Sequence, residues 1–375
     1  MLIDLTFIHQ RPQAIAMVLS IAGFCGTSVV SSVPLMTNSG TGWQHFYFYW
    51  AIPCGISCIM AFMLCPETYF KRPTVAFDGY LVMQSATEKI FMYEDQVDDF
   101  KDKNLPDTPS QSVWLAITER LRMPRVNARG WKAMARCYPQ ILLCLLNPLI
   151  FWVGLLNAMV FAGMMFIGET YASILSKEPY GLPNHLIVLV NFSAGVGSLL
   201  AWPASGPMVA GLCKSFSRRN RGVREAEQYL VAFVLPVLAG ALSTLLYGLT
   251  VQHRWHFSLF YLSYGLNGFS FTGLAIANTL WVTGAFPRWA APGLVVVGGG
   301  SYMASFGLSA ILIPWLRSQG FLGVGMQLSA FQFGLGGVIV PLVFWGKRAR
   351  QYIHSRWGKW EDGALRPGWA RDSHI

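Results

Sequence analysis

Apolar residues run through this chain in long blocks and not at alternate positions. Spanning a hydrocarbon core of ~30 Å takes about 20 apolar residues in a helix. Eight nearly uncharged stretches are that long: Gln13 to Met36, His45 to Cys65, Gln140 to Phe166, His185 to Leu212, Tyr229 to Val251, Phe257 to Gly284, Ala291 to Leu316 and Leu322 to Trp345. Each is predicted to be a transmembrane helix. A β-barrel would show alternating segments of about ten residues, which these Leu, Ile, Val and Phe runs do not. The predicted fold class is therefore an all-α membrane protein with about eight spans.

The spacing of the blocks is asymmetric. Two spans come first, then a polar segment, then six spans joined by short connections. The domains expected are 1–65 with two helices, 66–139 as a cytoplasmic loop, 140–346 as a six-helix unit and 347–375 as a cytoplasmic tail. The loop is acidic in its middle, from Tyr93 to Phe100, and basic at its end, with Arg120, Arg122, Arg125, Arg129, Lys132 and Arg136. Such a basic stretch lies on anionic headgroups at about 1 kcal/mol per charge.

Composition agrees with this reading. The 375 residues are 53% hydrophobic and 12% charged, where a soluble domain carries about 25% charged residues. Placing both termini in the cytoplasm puts all of the 28 Lys and Arg residues except Lys177, Arg254 and Arg317 on the cytoplasmic side, as the positive-inside rule expects. The net charge of +10 then faces anionic lipid, and no nucleic-acid partner is expected. Trp43, Trp50 and Trp255 fall near the proposed interfaces. The stretch after Asp4 has no small-residue cleavage site, so a removable signal peptide is not expected.

Candidate chemistry is sparse. Cys54 and Cys58 share a helical face without the His or further Cys that a metal site needs, so the cysteines read as packing residues, and no metal or cofactor is expected. No metalloprotease, nucleophile-elbow, P-loop or dinucleotide-binding motif occurs, which argues against an enzyme. Glu169, in Gly168-Glu169-Thr170-Tyr171, is the acidic residue nearest a span interior. It reads as a solvated interfacial carboxylate or as a gate or coupling group.

Uncharged polar residues say more. At 100° per residue, Asn147, Gly154, Asn157 and Phe161 share one face of the third span, and Tyr264, Asn267, Phe271, Asn278 and Trp281 share one face of the sixth. Amides that orient and rings that supply contact suit a cavity for a partly apolar organic molecule. Taken singly, each amide reads rather as bonding across helices. Taken together, the two faces favour a cavity. Small-residue stripes at Ser193, Gly197, Ala201 and Ser205, at Gly240, Thr244 and Gly248, and at Ser301, Ser305 and Ser309 predict close helix approach. Prolines at 53, 148, 203, 207, 236, 314 and 341 predict kinks.

Several stretches carry a resemblance. Pro66-Glu67-Thr68 closes the first pair of spans, Asp4 to Arg11 precedes the first span, and Gly42-Trp43-Gln44, Arg218 to Glu227 and Ala285 to Pro292 lie between spans. Together they resemble the major facilitator superfamily, in the branch rich in fungal drug and polyamine antiporters. The resemblance implies that the eight spans are helices five to twelve of a twelve-helix bundle, with the first four lacking. Spans three and six become helices seven and ten, which line the family's central cavity. It further implies a secondary active transporter of a small organic solute (drug, polyamine or metabolite-like) working by alternating access. Asn147, Asn157, Phe161, Tyr264, Asn267, Phe271, Asn278 and Trp281 are then the expected substrate-binding residues. Glu169, Arg218, Arg219, Arg221, Arg224 and Arg288 are expected to gate or couple. The family's helix-five antiporter motif is kept only in part, as Gly23-Phe-Cys-Gly26 with Pro34 further on, which leaves proton coupling open. A monomer in the plasma membrane is expected; a non-transporting fragment, or a channel or receptor, is the alternative.

Overall fold

The computed structural model describes residues 10–31, 42–64, 81–84, 90–93, 128–219, 225–286 and 289–357. They form helices α1 (Arg11–Val30), α2 (Gly42–Leu64), α3 (Ala128–Leu146), α4 (Pro148–Leu175), α5 (Asn184–Ser205), α6 (Pro207–Arg219), α7 (Val234–His253), α8 (Ser258–Ala285), α9 (Ala290–Gly337) and α10 (Ile339–Trp357). A 3-10 helix, Ala226–Phe233, leads into α7. Strands β1 (Leu81–Gln84) and β2 (Ile90–Tyr93) pair antiparallel, Leu81 opposite Tyr93 and Gln84 opposite Ile90. This hairpin lies within 66–139, the segment expected to be a loop; its two short apolar runs pair with each other, and the rest of the described chain is helical or in short turns.

Prolines and glycines punctuate the helices as their chemistry requires. Pro148 sits at the first position of α4, where its missing N–H costs nothing, and the Asn147 side chain caps the helix by accepting from the Leu149 N–H at 3.0 Å. The predicted third span is thus broken at 147 and runs on to Leu175, past Phe166. Within that extension the Thr170 hydroxyl donates to the Phe166 carbonyl at 2.6 Å, which satisfies it inside the helix. In α9, Gly320 adopts φ 70°, ψ 172° inside what is otherwise continuous helix. That left-handed region favours glycine, and it divides α9 into arms at 290–319 and 321–337.

Five helical stretches of the described residues are long and apolar enough to cross a bilayer: Arg11–Val30, Pro148–Leu175, Asn184–Arg219, Ala226–His253 and Ala290–Ile353. The last has 64 residues, about 96 Å at the helical rise, and its break at Gly320 makes two crossings of it. α8 has the required length, 28 residues, but its Asn, Ser, Thr and Tyr content lowers its hydropathy. With α2, these elements account for the eight predicted spans of a multi-pass, all-α membrane bundle.

The described chain separates into two units. The first comprises 1–48 and 139–350. α8 lies at its centre and packs on α1, α4, α5, α7 and the 3-10 helix, while α4 packs on α9 and α7 on α9. One core cluster is aromatic: Tyr247 meets Phe166 edge-on at 5.1 Å and Phe260 at 5.5 Å, all fully buried. Such pairs contribute about 0.5–1.5 kcal/mol beyond area burial. Two ion pairs tie the 3-10 segment to α10, Glu227 with Arg350 at 3.1 Å and Glu225 with Lys347 at 2.7 Å. The second unit comprises 49–138 and 351–375 and contains most of α2, the hairpin, most of α3 and the end of α10.

Candidate substrate cavity

The two predicted polar faces meet. Asn278 Nδ2 of α8 donates to Asn157 Oδ1 of α4 at 3.0 Å, and Asn157 Nδ2 donates to Ser301 Oγ of α9 at 3.0 Å, with the Val297 carbonyl at 3.4 Å. Three helices therefore converge on one amide pair. Both asparagines are buried, and Asn278 Oδ1 has no partner. Two aromatic clusters lie along the same helices: Phe161 lies 5.4 Å from Phe271 and 5.3 Å from Tyr302, and Trp281 meets Trp152 at 6.2 Å and Phe286 at 5.9 Å. Tyr302 is 60% exposed and Phe161 9%, so Tyr302 covers Phe161 on the open side of α9.

The remaining face residues are placed differently. The Asn147 carboxamide oxygen serves the α4 cap, and its side chain is buried away from the asparagine pair. Tyr264 stacks against Tyr171 at 5.9 Å, nearer the Glu169 end of α4. Asn267 is fully buried beside Gly163 and Gln332. The helical wheel puts Asn267 and Asn278 on one stripe, but about 16 Å of helix separates them, so they serve different neighbours.

Of the predicted gating groups, Glu169 is exposed and accepts from Ser309 Oγ at 2.6 Å, linking α4 to α9. Arg218 and Arg219 are exposed at the end of α6. Arg221, Arg224 and Arg288 lie outside the described residues, as do Pro34, Pro66-Glu67-Thr68 and the basic residues 120–125. At the turn joining α4 to α5, Tyr180 donates to the Trp255 carbonyl at 2.8 Å; burial raises its phenol above the ordinary value and Arg254 opposes that.

A separate groove of about 540 Å³ runs between α5 and α8. Leu189, Phe192, Val196, Leu200, Leu262 and Phe269 line it. The hydroxyls there are already used, Ser193 on the Val190 and Tyr261 carbonyls and Tyr261 on that of Leu186. The groove thus offers apolar surface and no free hydroxyl. The residue that sequence reasoning missed is Gln332. A carboxamide inside the eighth apolar run, which also holds Gln327, was its signal.

Comparison with known proteins bears on the same architecture. The chain is 20% identical over 341 residues to an uncharacterized MFS-type transporter of Schizosaccharomyces pombe, covering 84% of this chain and 59% of that protein. The chain is thus similar, at low identity, to an MFS-type transporter. It is also 21% identical over 194 residues to Protein HOL1 of Saccharomyces cerevisiae, covering 52% of this chain and 33% of that protein. The chain thus spans about three-fifths of the length of the first of these relatives and a third of the second. No family model matches it, and no solved structure matches it.

Proposed function

We propose that this protein is a secondary active transporter of a small organic solute, drug-, polyamine- or metabolite-like, that works by alternating access. The observation that carries the reading is the Asn157–Asn278–Ser301 centre. It joins three helices by side-chain hydrogen bonds, with Phe161 and Phe271 in contact on two of those helices. Hydrogen bonds between side chains on different helices can be exchanged for bonds to a solute as the helices shift, at a net cost of about 1 kcal/mol per bond. Asn278 Oδ1 is an acceptor still open to a donor from the solute. Trp281, Phe161 and Phe271 supply apolar contact, and Tyr264 closes the end nearest Glu169. In this reading 1–65 corresponds to helices five and six and 140–346 to the six-helix half. Both termini face the cytoplasm, and the host membrane is the plasma membrane.

Glu169 is the group for coupling to protons in this scheme, because it is an ionisable residue held against α9 through Ser309. Arg218 and Arg219 act at the cytoplasmic gate. The test is flux of labelled organic cations and neutral amphiphiles into proteoliposomes with and without a pH gradient. Asn157→Ala and Asn278→Ala should each lower flux about tenfold or more by removing a positioned hydrogen bond of about 1.5 kcal/mol. Unchanged flux and affinity in both variants would remove the asparagine pair from the substrate path.

A further inference from the structure

A second polar centre lies where α4, α7, α8 and the 321–337 arm of α9 meet. Asn267 and Gln332 are both 0% exposed. Gln332 Nε2 donates to the Met159 carbonyl at 3.0 Å, which holds the side chain in place. Yet Gln332 Oε1, Asn267 Oδ1 and Asn267 Nδ2 have no hydrogen-bond partner. Glycine backbones pack closely against them. A methyl on Gly163 would sit 3.0 Å from Gln332 Nε2 and 3.2 Å from Asn267 Nδ2, and one on Gly240 would sit 2.9 Å from Gln332 Oε1 and 2.5 Å from Ser270 Oγ. Ser270 donates its proton to the Pro236 carbonyl at 2.6 Å, so its lone pairs remain available.

Each unpartnered polar atom buried in this way costs about 1–3 kcal/mol, and three of them gathered between glycines in one place call for a ligand. The set decides its chemistry. A monovalent or divalent cation wants oxygen acceptors on every side, and the Asn267 amide N–H, a donor, would face it with the wrong sign. An apolar ligand satisfies none of the three. Water both donates and accepts, and it needs two to four polar partners.

We propose that Asn267, Gln332 and Ser270 hold an internal water site at the junction of these four helices. The water accepts from Asn267 Nδ2 and donates to Gln332 Oε1 and to the Ser270 lone pair, and a second water serves Asn267 Oδ1. Its consequence is mechanical. Water bonds can be re-made with different partners, so the α9 arm and α8 shift against α4 and α7 without leaving a carboxamide bare. The site is separate from the asparagine pair and does not depend on what the protein transports.

The test is X-ray radiolytic hydroxyl labelling of the whole protein in lipid nanodiscs, read by mass spectrometry at Pro236 and Thr244, which border the site, and at Leu156 and Leu274, which are fully buried elsewhere. Bound water activated in place should label the bordering residues at least about threefold above the buried controls. Gly240→Ala, whose methyl would press on Ser270 Oγ and Gln332 Oε1 and displace these partners of the water, should abolish that excess. Gln332→Met, which removes the acceptor at similar volume, serves where the alanine variant does not fold. Labelling of Pro236 and Thr244 no higher than the controls overturns the site. So does a melting temperature that rises when sodium or potassium chloride replaces choline chloride, since that marks a cation.

Discussion

α8 presents two opposite kinds of surface. Toward α5 it is built of glycine: a side-chain carbon on Gly268 would overlap the Ala194 carbonyl oxygen, and one on Gly197 of α5 would overlap the Gly265 carbonyl oxygen. Ser198 adds a hydroxyl bond to the Gly268 carbonyl at 3.3 Å, and Ser193 one to that of Tyr261 at 2.9 Å. Toward α4 the same helix presents Asn267, Phe271, Asn278 and Trp281, side chains with reach and with partners on other helices. The first surface holds backbones at a fixed distance, because small residues leave nothing between them to deform. The second holds side chains whose rotamers and bonds can change while the backbones move. Within this unit, α8 and α5 are therefore expected to move as a pair, and the changing contacts are those with α4 and α9.

The glycine surface should be the least forgiving. Gly268→Ala or Gly197→Ala forces backbone against backbone, where no side chain can swing aside. Overpacking of this kind costs about 3 kcal/mol or more. Loss of the monodisperse peak in detergent, or a fall in melting temperature of several degrees, is the expected result. An alanine variant as stable as wild type would mean that α5 and α8 are not locked together. The polar surface should respond less. Asn157→Leu strips the partner from Asn278 Nδ2 and should cost about 1–3 kcal/mol. Adding Asn278→Leu removes the stranded amide, so the double variant should be more stable than the sum of the singles predicts. Simple additivity in that thermal-unfolding cycle would show that the 3.0 Å bond contributes nothing.

Much of this division was legible in the amino-acid sequence, for reasons that differ by residue. Block hydrophobicity marks spans because a bilayer demands it of every lipid-facing turn, so the helices lie close to where the apolar runs predict. Periodicity placed Asn157 and Asn278 on facing stripes, and the structure bonds them. It could not tell Asn147 from them, because capping depends on the neighbouring Pro148 and on where the helix starts, not on angle. Asn267 shares the stripe of Asn278 but faces Gln332, since height along the helix decides which neighbour is met. The α9 break at Gly320 was read only as a boundary between two apolar runs. The pairing of Glu227 with Arg350 and Glu225 with Lys347 was not foreseen, because it joins residues far apart in sequence through the packing of α10.

The smallest expected effect is the most informative about the far side of the polar surface. Gly298, Gly299 and Gly300 lie in the 290–319 arm of α9, beside Ser301, and a methyl on any of them would meet nothing within 4 Å among the described residues. Glycine inside a helix costs about 1 kcal/mol relative to alanine. Gly299→Ala should therefore leave the protein as stable as wild type or raise its melting temperature slightly, in contrast to the glycines between α5 and α8. The neighbouring Met303 and Phe306 are 80% and 82% exposed, which is compatible with lipid on this face. If Gly299→Ala instead lowers stability while Met303→Leu does not, the backbone there is in close contact with a further helix, and the open face of α9 is a second glycine surface like that between α5 and α8.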